Sequence, residues 1–133
     1  MKYSRIVLFS VGLYLLLVVL SAIATLIVGT DEATQSMPFF FTLYVLGFVI
    51  SLIAYFYLGY KQATSPYKQA AFVAVVFWFI DLGVNVLLYI FLGTPIEPLI
   101  YLIPVLLHVI AVLLGTLLGV QLRHKRELSV SAI

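Results

Sequence analysis

Two ionisable side chains lie near the middle of long apolar segments of this chain. Asp81 is the single charged residue of the segment 69–96, and His108 lies within the uncharged segment 98–122. An ionisable group is costly in hydrocarbon, so a residue of this kind marks a candidate functional site. A carboxylate and an imidazole at similar depth can share a proton or bind a cation, and we expect the pair to titrate as one coupled unit.

Four further polar residues are predicted to complete this ligand- or proton-binding site. With about 100° of rotation per helical residue, each of them shares a helix face with other small or polar residues. They are Asn85 on the segment that carries Asp81, Ser51 and Tyr55 on the second apolar segment, and Tyr14 on the first. We therefore expect one cluster where four polar helix faces meet.

The same residues also have a purely structural interpretation. Buried hydroxyl, amide and imidazole groups join helices in a membrane, and each such hydrogen bond contributes about 0.6 kcal/mol on average. This interpretation is favoured for His108 and Asn85. It is disfavoured for Asp81, because Asn or Ser would join two helices without the cost of burying an acid.

Four apolar segments position these side chains, and each is long enough to cross a bilayer, which takes about 20 apolar residues. Hydrophobic residues make up 65% of the chain and charged residues 9%, whereas soluble domains contain about 25% charged residues. We predict an all-α membrane protein with a single domain over residues 1–133. Its fold is a four-helix transmembrane bundle with up-down-up-down connections and a polar tail at 123–133. The predicted spans are 6–28, 38–60, 67–92 and 97–122.

Small residues indicate where the helices approach one another. Ala111, Gly115 and Gly119 recur at intervals of four on the fourth segment, and Gly47 and Ala74 lie on the polar faces of the second and third. Small residues at this spacing let helix backbones pack closely in a membrane. We predict that these five residues form the helix contacts of the bundle.

The basic residues predict the orientation in the membrane. All seven fall in the N-terminus, the loop between the second and third segments, or the C-terminus, whereas Asp31, Glu32 and Glu97 occupy the other two loops. Because Lys and Arg stay on the cytoplasmic side, we expect a multi-pass protein of the cell (cytoplasmic) membrane with both termini in the cytoplasm. The basic residues are Lys2, Arg5, Lys61, Lys68, Arg123, Lys125 and Arg126.

These features favour proton- or cation-linked transport, or small-ligand binding, centred on the Asp81–His108 pair. The alternative is a non-catalytic accessory subunit of a larger membrane complex, or a module that binds a lipid or cofactor. Either kind of protein is expected to contact membrane lipids and to form a homo-oligomer or join a partner membrane subunit. No basic cluster of the kind that binds nucleic acid is present, so no nucleic-acid partner is predicted.

Enzymatic function ranks third among the classes that we consider. Ser51, His108 and Asp81 supply the residue types of an acyl-transfer triad, but the residues around Ser51 read as plain helix rather than as a nucleophile turn. The chain has no Cys, which excludes thiol chemistry. One His and one Asp supply two ligands, whereas zinc takes three or four, so we predict no metal site and no cofactor.

Overall fold

The protein is an assembly of four long helices. The computed structural model describes residues 2–29, 37–94 and 98–133, with the side chain of Ile100 left aside. Each helix is long and apolar enough to cross a membrane, and the described part of the chain contains no strand. The predicted all-α, four-helix membrane fold is therefore confirmed. The helices are α1 (Tyr3–Val28), α2 (Met37–Lys61), α3 (Pro66–Leu92) and α4 (Pro98–Ser131).

Local sequence accounts for several of the helix ends. Gly29 and Gly93 end α1 and α3 with φ of 94° and 64°, and their backbone N–H groups donate to the carbonyls of Thr25 and Tyr89. Glycine adopts positive φ without steric cost, so it is the usual residue at this position. Pro66 begins α3, where its missing N–H would have had no helical partner. The acidic loop residues Asp31, Glu32 and Glu97 lie outside the described residues.

Helix α4 continues well beyond the span predicted for it. Its 34 residues extend about 50 Å at 1.5 Å per residue, compared with about 30 Å of bilayer hydrocarbon. The polar tail is thus helical as far as Ser131 and packs against the end of α2. Arg123 donates to the carbonyls of Gly59 and Gln62, and Arg126 donates to the hydroxyl of Tyr60. Arg123 thereby caps carbonyls that the end of α2 leaves without helical partners.

The most extensive helix contact joins α2 and α4. Gly115 packs on Leu52 and Gly119 on Phe56, so residue numbers rise together along the two helices and the pair runs parallel. Helices α1 and α3 also run parallel, since the Ser10 hydroxyl donates to the carbonyl of Val73 at 3.1 Å and Tyr14, one turn later, packs on Phe77. Helices α3 and α4 run in opposite directions, as their contacts described below show.

Three glycines allow α2 and α4 to touch backbone to backbone. A Cβ on Gly115 would lie 2.6 Å from the carbonyl oxygen of Leu52, and one on Gly59 would lie 2.5 Å from that of Thr116. A Cβ on Gly119 would clash with the carbonyl oxygen of Phe56. No side chain fits at these three positions unless the helices separate.

The buried residues are confined to one half of the bundle. Among the described residues, every buried one lies where α1 and α3 begin or where α2 and α4 approach the ends of their spans. We call this the closed half, and the opposite end of the bundle the open half. Ala74 and Ala111 are buried in the closed half. The buried residues fall within 6–13, 51–59, 69–77 and 108–119.

Candidate functional site

A cavity of about 620 Å³ lies in the open half and reaches the boundary of the closed half. All four helices line it, and its volume is within the range of pockets that hold small ligands. All the residues predicted for the ligand- or proton-binding site line it except Tyr55, which is buried beneath it. Those that line it are Tyr14, Ser51, Asp81, Asn85 and His108.

His108 lies at the boundary between the cavity and the closed half. It is 7% exposed, and its Nε2 lies 3.0 Å from the hydroxyl of Tyr55, which is fully buried. The imidazole stacks on Phe77, with ring centroids 4.5 Å apart and 17° between the planes. Trp78 approaches it edge-on at 5.9 Å. The ring of Tyr55 on α2 and the rings of Phe77 and Trp78 on α3 thus fix the orientation of His108 on α4.

The bond to Tyr55 determines which imidazole nitrogen a ligand can use. Nε2 either accepts the phenolic proton or donates its own to the phenolic oxygen, and in both cases it is engaged. Nδ1 of His108 has no hydrogen-bond partner within the described part of the chain. Since the side chain lines the cavity, Nδ1 is the nitrogen that remains for a ligand or a water molecule.

Asp81 is half-buried on the cavity wall, one helical turn beyond Phe77. Within the ranges that the structure describes, its carboxylate forms no ion pair, and the side-chain amide of Asn85 lies close enough to interact with it. The one ion pair in those ranges joins Arg123 and Glu127 in the polar tail. Asp81 therefore presents a carboxylate that no described residue pairs with a positive charge.

Asn85 is held at both ends of its amide. Its Nδ2 donates to the backbone carbonyl of Asp81 at 2.8 Å, and its Oδ1 accepts a hydrogen bond from the Tyr101 hydroxyl at 3.0 Å. The second bond joins α3 to α4. Asn85 thus makes the kind of interhelical bond that membrane bundles use for packing.

The expected direct contact between Asp81 and His108 is not observed. The structure pairs His108 with Tyr55 instead, while Asp81 lies on the same cavity wall and forms no ion pair with the imidazole. The bond to Tyr55 and the stacked ring of Phe77 hold the imidazole in this orientation. The two residues thus share a cavity without a direct contact.

Gly47 also differs from its prediction as a packing residue. Nothing lies within 4 Å of the position that its Cβ would occupy, and the residue lines the cavity. The reason is that the helices diverge in the open half, where α1 and α2 make few contacts. In place of Gly47, Gly59 makes the close contact from α2.

Two residues of the site were not among those predicted, although the helical period contains a signal for both. Phe77 precedes Asp81 by four residues, and Tyr101 precedes His108 by seven, so each shares a helix face with a predicted site residue. Phe77 stacks on His108 and Tyr101 bonds to Asn85, each across to a neighbouring helix. Large aromatic side chains are common throughout this chain, which hides the two that face inwards.

Aliphatic and aromatic side chains make up most of the cavity wall, whereas no basic side chain occurs on its described part. None of the described residues that line it is Lys or Arg. The indole N–H of Trp78 is buried without a hydrogen-bond partner among the described residues. The aromatic residues of the wall are Tyr14, Phe40, Tyr44, Phe48, Phe77, Trp78 and Tyr101.

No three His, Cys, Asp or Glu side chains come together in the described part of the chain. The groups that this site offers are one carboxylate, one imidazole nitrogen and hydroxyls, in an enclosure of aliphatic and aromatic side chains. Comparisons with protein-family models, with curated proteins and with solved structures give no match to this chain.

Proposed function

We propose that this protein binds a small, largely apolar ligand inside its own helix bundle. The observation that carries the proposal is the cavity of about 620 Å³, which all four helices line and which contains the carboxylate of Asp81. Ligand sites are typically apolar enclosures with a few polar groups that fix orientation. The aliphatic and aromatic wall and the few polar groups described above fit this pattern.

Proton- or cation-linked transport is the mode of action that we favour for this binding protein. A carboxylate without a partner can exchange a proton for a cation, which is the chemistry that such coupling needs. The glycine contacts close the bundle beyond His108, so the site is blocked on one side, as a transporter's site is in each of its two states. The charge pattern predicts that the closed half faces the cytoplasm.

The proposal is tested with two probes of the same shape, methyltriphenylphosphonium and the neutral hydrocarbon 1,1,1-triphenylethane. Their binding to purified protein in detergent is measured by equilibrium dialysis, with empty micelles as the blank. Gly47→Leu places a side chain in the cavity, and we expect it to weaken the binding of both probes about tenfold or more, equivalent to about 1.4 kcal/mol.

Gly83→Leu is the matched control. Gly83 also has open space around its Cβ position, but it is exposed and does not line the cavity. We expect this variant to bind both probes as the wild type does. Saturable binding of neither probe, or equal binding by the two leucine variants, would overturn the proposal. A lipid that co-purifies with the wild type but not with Gly47→Leu would favour the alternative of a lipid-binding module.

A further inference from the structure

We propose that the natural ligand is a lipophilic organic cation, an apolar body that carries one positive charge and places it against the carboxylate of Asp81. This inference rests on the ligand-binding function proposed above and names the chemical class of the ligand. Three observations support it: the charges on the cavity wall, the rings around the carboxylate, and the groups that the cavity lacks.

The charge balance of the cavity favours a cation. Asp81 is the only Asp or Glu among the described residues that line the cavity, and no Lys or Arg accompanies it there. Opposite charges attract far more strongly in a low-dielectric site than in water. A cationic ligand therefore gains an interaction here that a neutral ligand of the same shape does not, whereas an anion would be repelled.

The aromatic rings near Asp81 favour an organic cation over a bare metal ion. Trp78 and Phe77 lie three and four residues before Asp81 on the same helix, and Tyr14 packs edge-on against Phe77 with centroids 5.6 Å apart. The faces of aromatic rings attract organic cations and pack well against apolar groups. A small metal ion would instead need several oxygen ligands, and Asp81 supplies the only carboxylate on the described wall.

The missing basic groups argue against a zwitterionic lipid headgroup as the occupant. The ammonium group of such a lipid could reach Asp81, but its phosphate would enter the same cavity, and buried charges need partners. No described residue of the wall is Lys or Arg, so the phosphate would have no basic partner. A ligand with one positive charge and no negative charge satisfies the site.

The test compares the two probes on variants of Asp81. Asp81→Asn keeps the shape of the side chain and removes its charge. We expect it to weaken the binding of methyltriphenylphosphonium about tenfold or more and to leave the binding of 1,1,1-triphenylethane within about twofold. Asp81→Glu keeps the charge and is expected to retain preference for the cation. Size-exclusion profiles and thermal stability establish that each variant is folded.

The possible outcomes separate this inference from the function on which it rests. If Asp81→Asn weakens neither probe while Gly47→Leu weakens both, the protein binds apolar ligands without regard to charge. The cation inference then fails and the binding function stands. If Gly47→Leu leaves the binding of both probes unchanged, the cavity is not the binding site, and both proposals fail together. A wild type that prefers the neutral probe would also overturn the cation inference.

Discussion

At the scale of single residues, His108 and Asp81 have separate roles that their shared depth does not reveal. His108 is embedded among three aromatic rings and bonded to Tyr55, so it joins α4 to α2 and α3. Asp81 has no cationic partner among the described residues. An acid that is kept in a membrane without a cationic partner is better explained by a ligand than by packing, because Asn would cost less to insert.

The bond between Tyr55 and His108 yields a stability prediction. Tyr55→Phe removes the hydroxyl and leaves Nε2 of His108 buried without its partner. We expect the free energy of unfolding to fall by about 1–3 kcal/mol, the usual cost of an unsatisfied buried polar group. Unfolding by SDS in mixed micelles, followed by circular dichroism, measures the change.

Tyr57→Phe is the control for this prediction. Tyr57 lies on the same helix and is 54% exposed, so removal of its hydroxyl should change the free energy of unfolding by no more than about 0.5 kcal/mol. Equal losses in the two variants would mean that the hydrogen bond to His108 contributes nothing to stability.

The sequence patterns predicted at which level along the bundle the site residues lie. They did not predict how each helix is rotated about its own axis. Each candidate of the predicted site lines the cavity or, as Tyr55 does, packs directly beneath it. The pairing was not predictable, because it depends on a few tens of degrees of helix rotation. Such rotation is set by the packing of large rings such as Phe77, and the sequence alone leaves these rings indistinguishable from rings that face lipid.

At the scale of helices, the contact between α2 and α4 depends on glycine. Gly59, Gly115 and Gly119 bring the two backbones together. The interval-of-four pattern on α4 predicted two of these glycines, Gly115 and Gly119, as contact residues. Gly59 continues the series Gly47, Ser51 and Tyr55 at intervals of four, but the large Tyr55 interrupts the run of small residues. The sequence also did not reveal that α4 packs mainly on α2. Short loops favour contact between consecutive helices, and α2 and α4 are not consecutive.

Gly119→Ala tests this contact. The added Cβ would clash with the carbonyl oxygen of Phe56 and would lie 2.7 Å from the backbone nitrogen of Tyr60. Neither backbone atom can move away without separating the helices, so we expect the free energy of unfolding to fall by about 1–3 kcal/mol, as overpacking does elsewhere. The same SDS titration measures the loss.

Gly83→Ala provides the comparison. Its Cβ would meet nothing within 4 Å, and Ala favours a helix over Gly by about 1 kcal/mol or less. We therefore expect a small gain or no change in stability. A Gly119→Ala protein as stable as Gly83→Ala would contradict the close contact between α2 and α4.

At the scale of the whole molecule, the bundle is asymmetric along its length. The closed half contains every buried residue of the described part of the chain, and the cavity occupies the open half. Composition predicted four membrane helices, because length and hydropathy suffice for that. It did not predict a closed and an open half, because lipid and a cavity both accept the same apolar side chains.

Cysteine labelling can test which side of the membrane the open half faces. The chain contains no Cys, so a single introduced thiol is the only site on the protein that a maleimide can label. We expect Thr94→Cys, at the outer end of α3, to react with a membrane-impermeant maleimide added to intact cells. Ser131→Cys, at the end of α4, should react only after the cells are opened. Both residues are exposed.

The reverse labelling pattern would place both termini outside the cell. It would contradict the orientation predicted from the basic residues and would turn the cavity towards the cytoplasm. Labelling of both positions in intact cells would indicate that the chain inserts in either direction, which the strong asymmetry of Lys and Arg argues against.

The parallel pairing of α2 and α4 has a consequence for biosynthesis. The most extensive contact of the bundle joins the second and the last spans, so a ribosome must deliver α3 before the surface of α2 around Gly59 meets its partner. Until then that surface is covered only by lipid or by an assisting factor. The nascent protein with three spans therefore lacks the contact that holds the mature one together, and completion of α4 is the step that commits the chain to its native state.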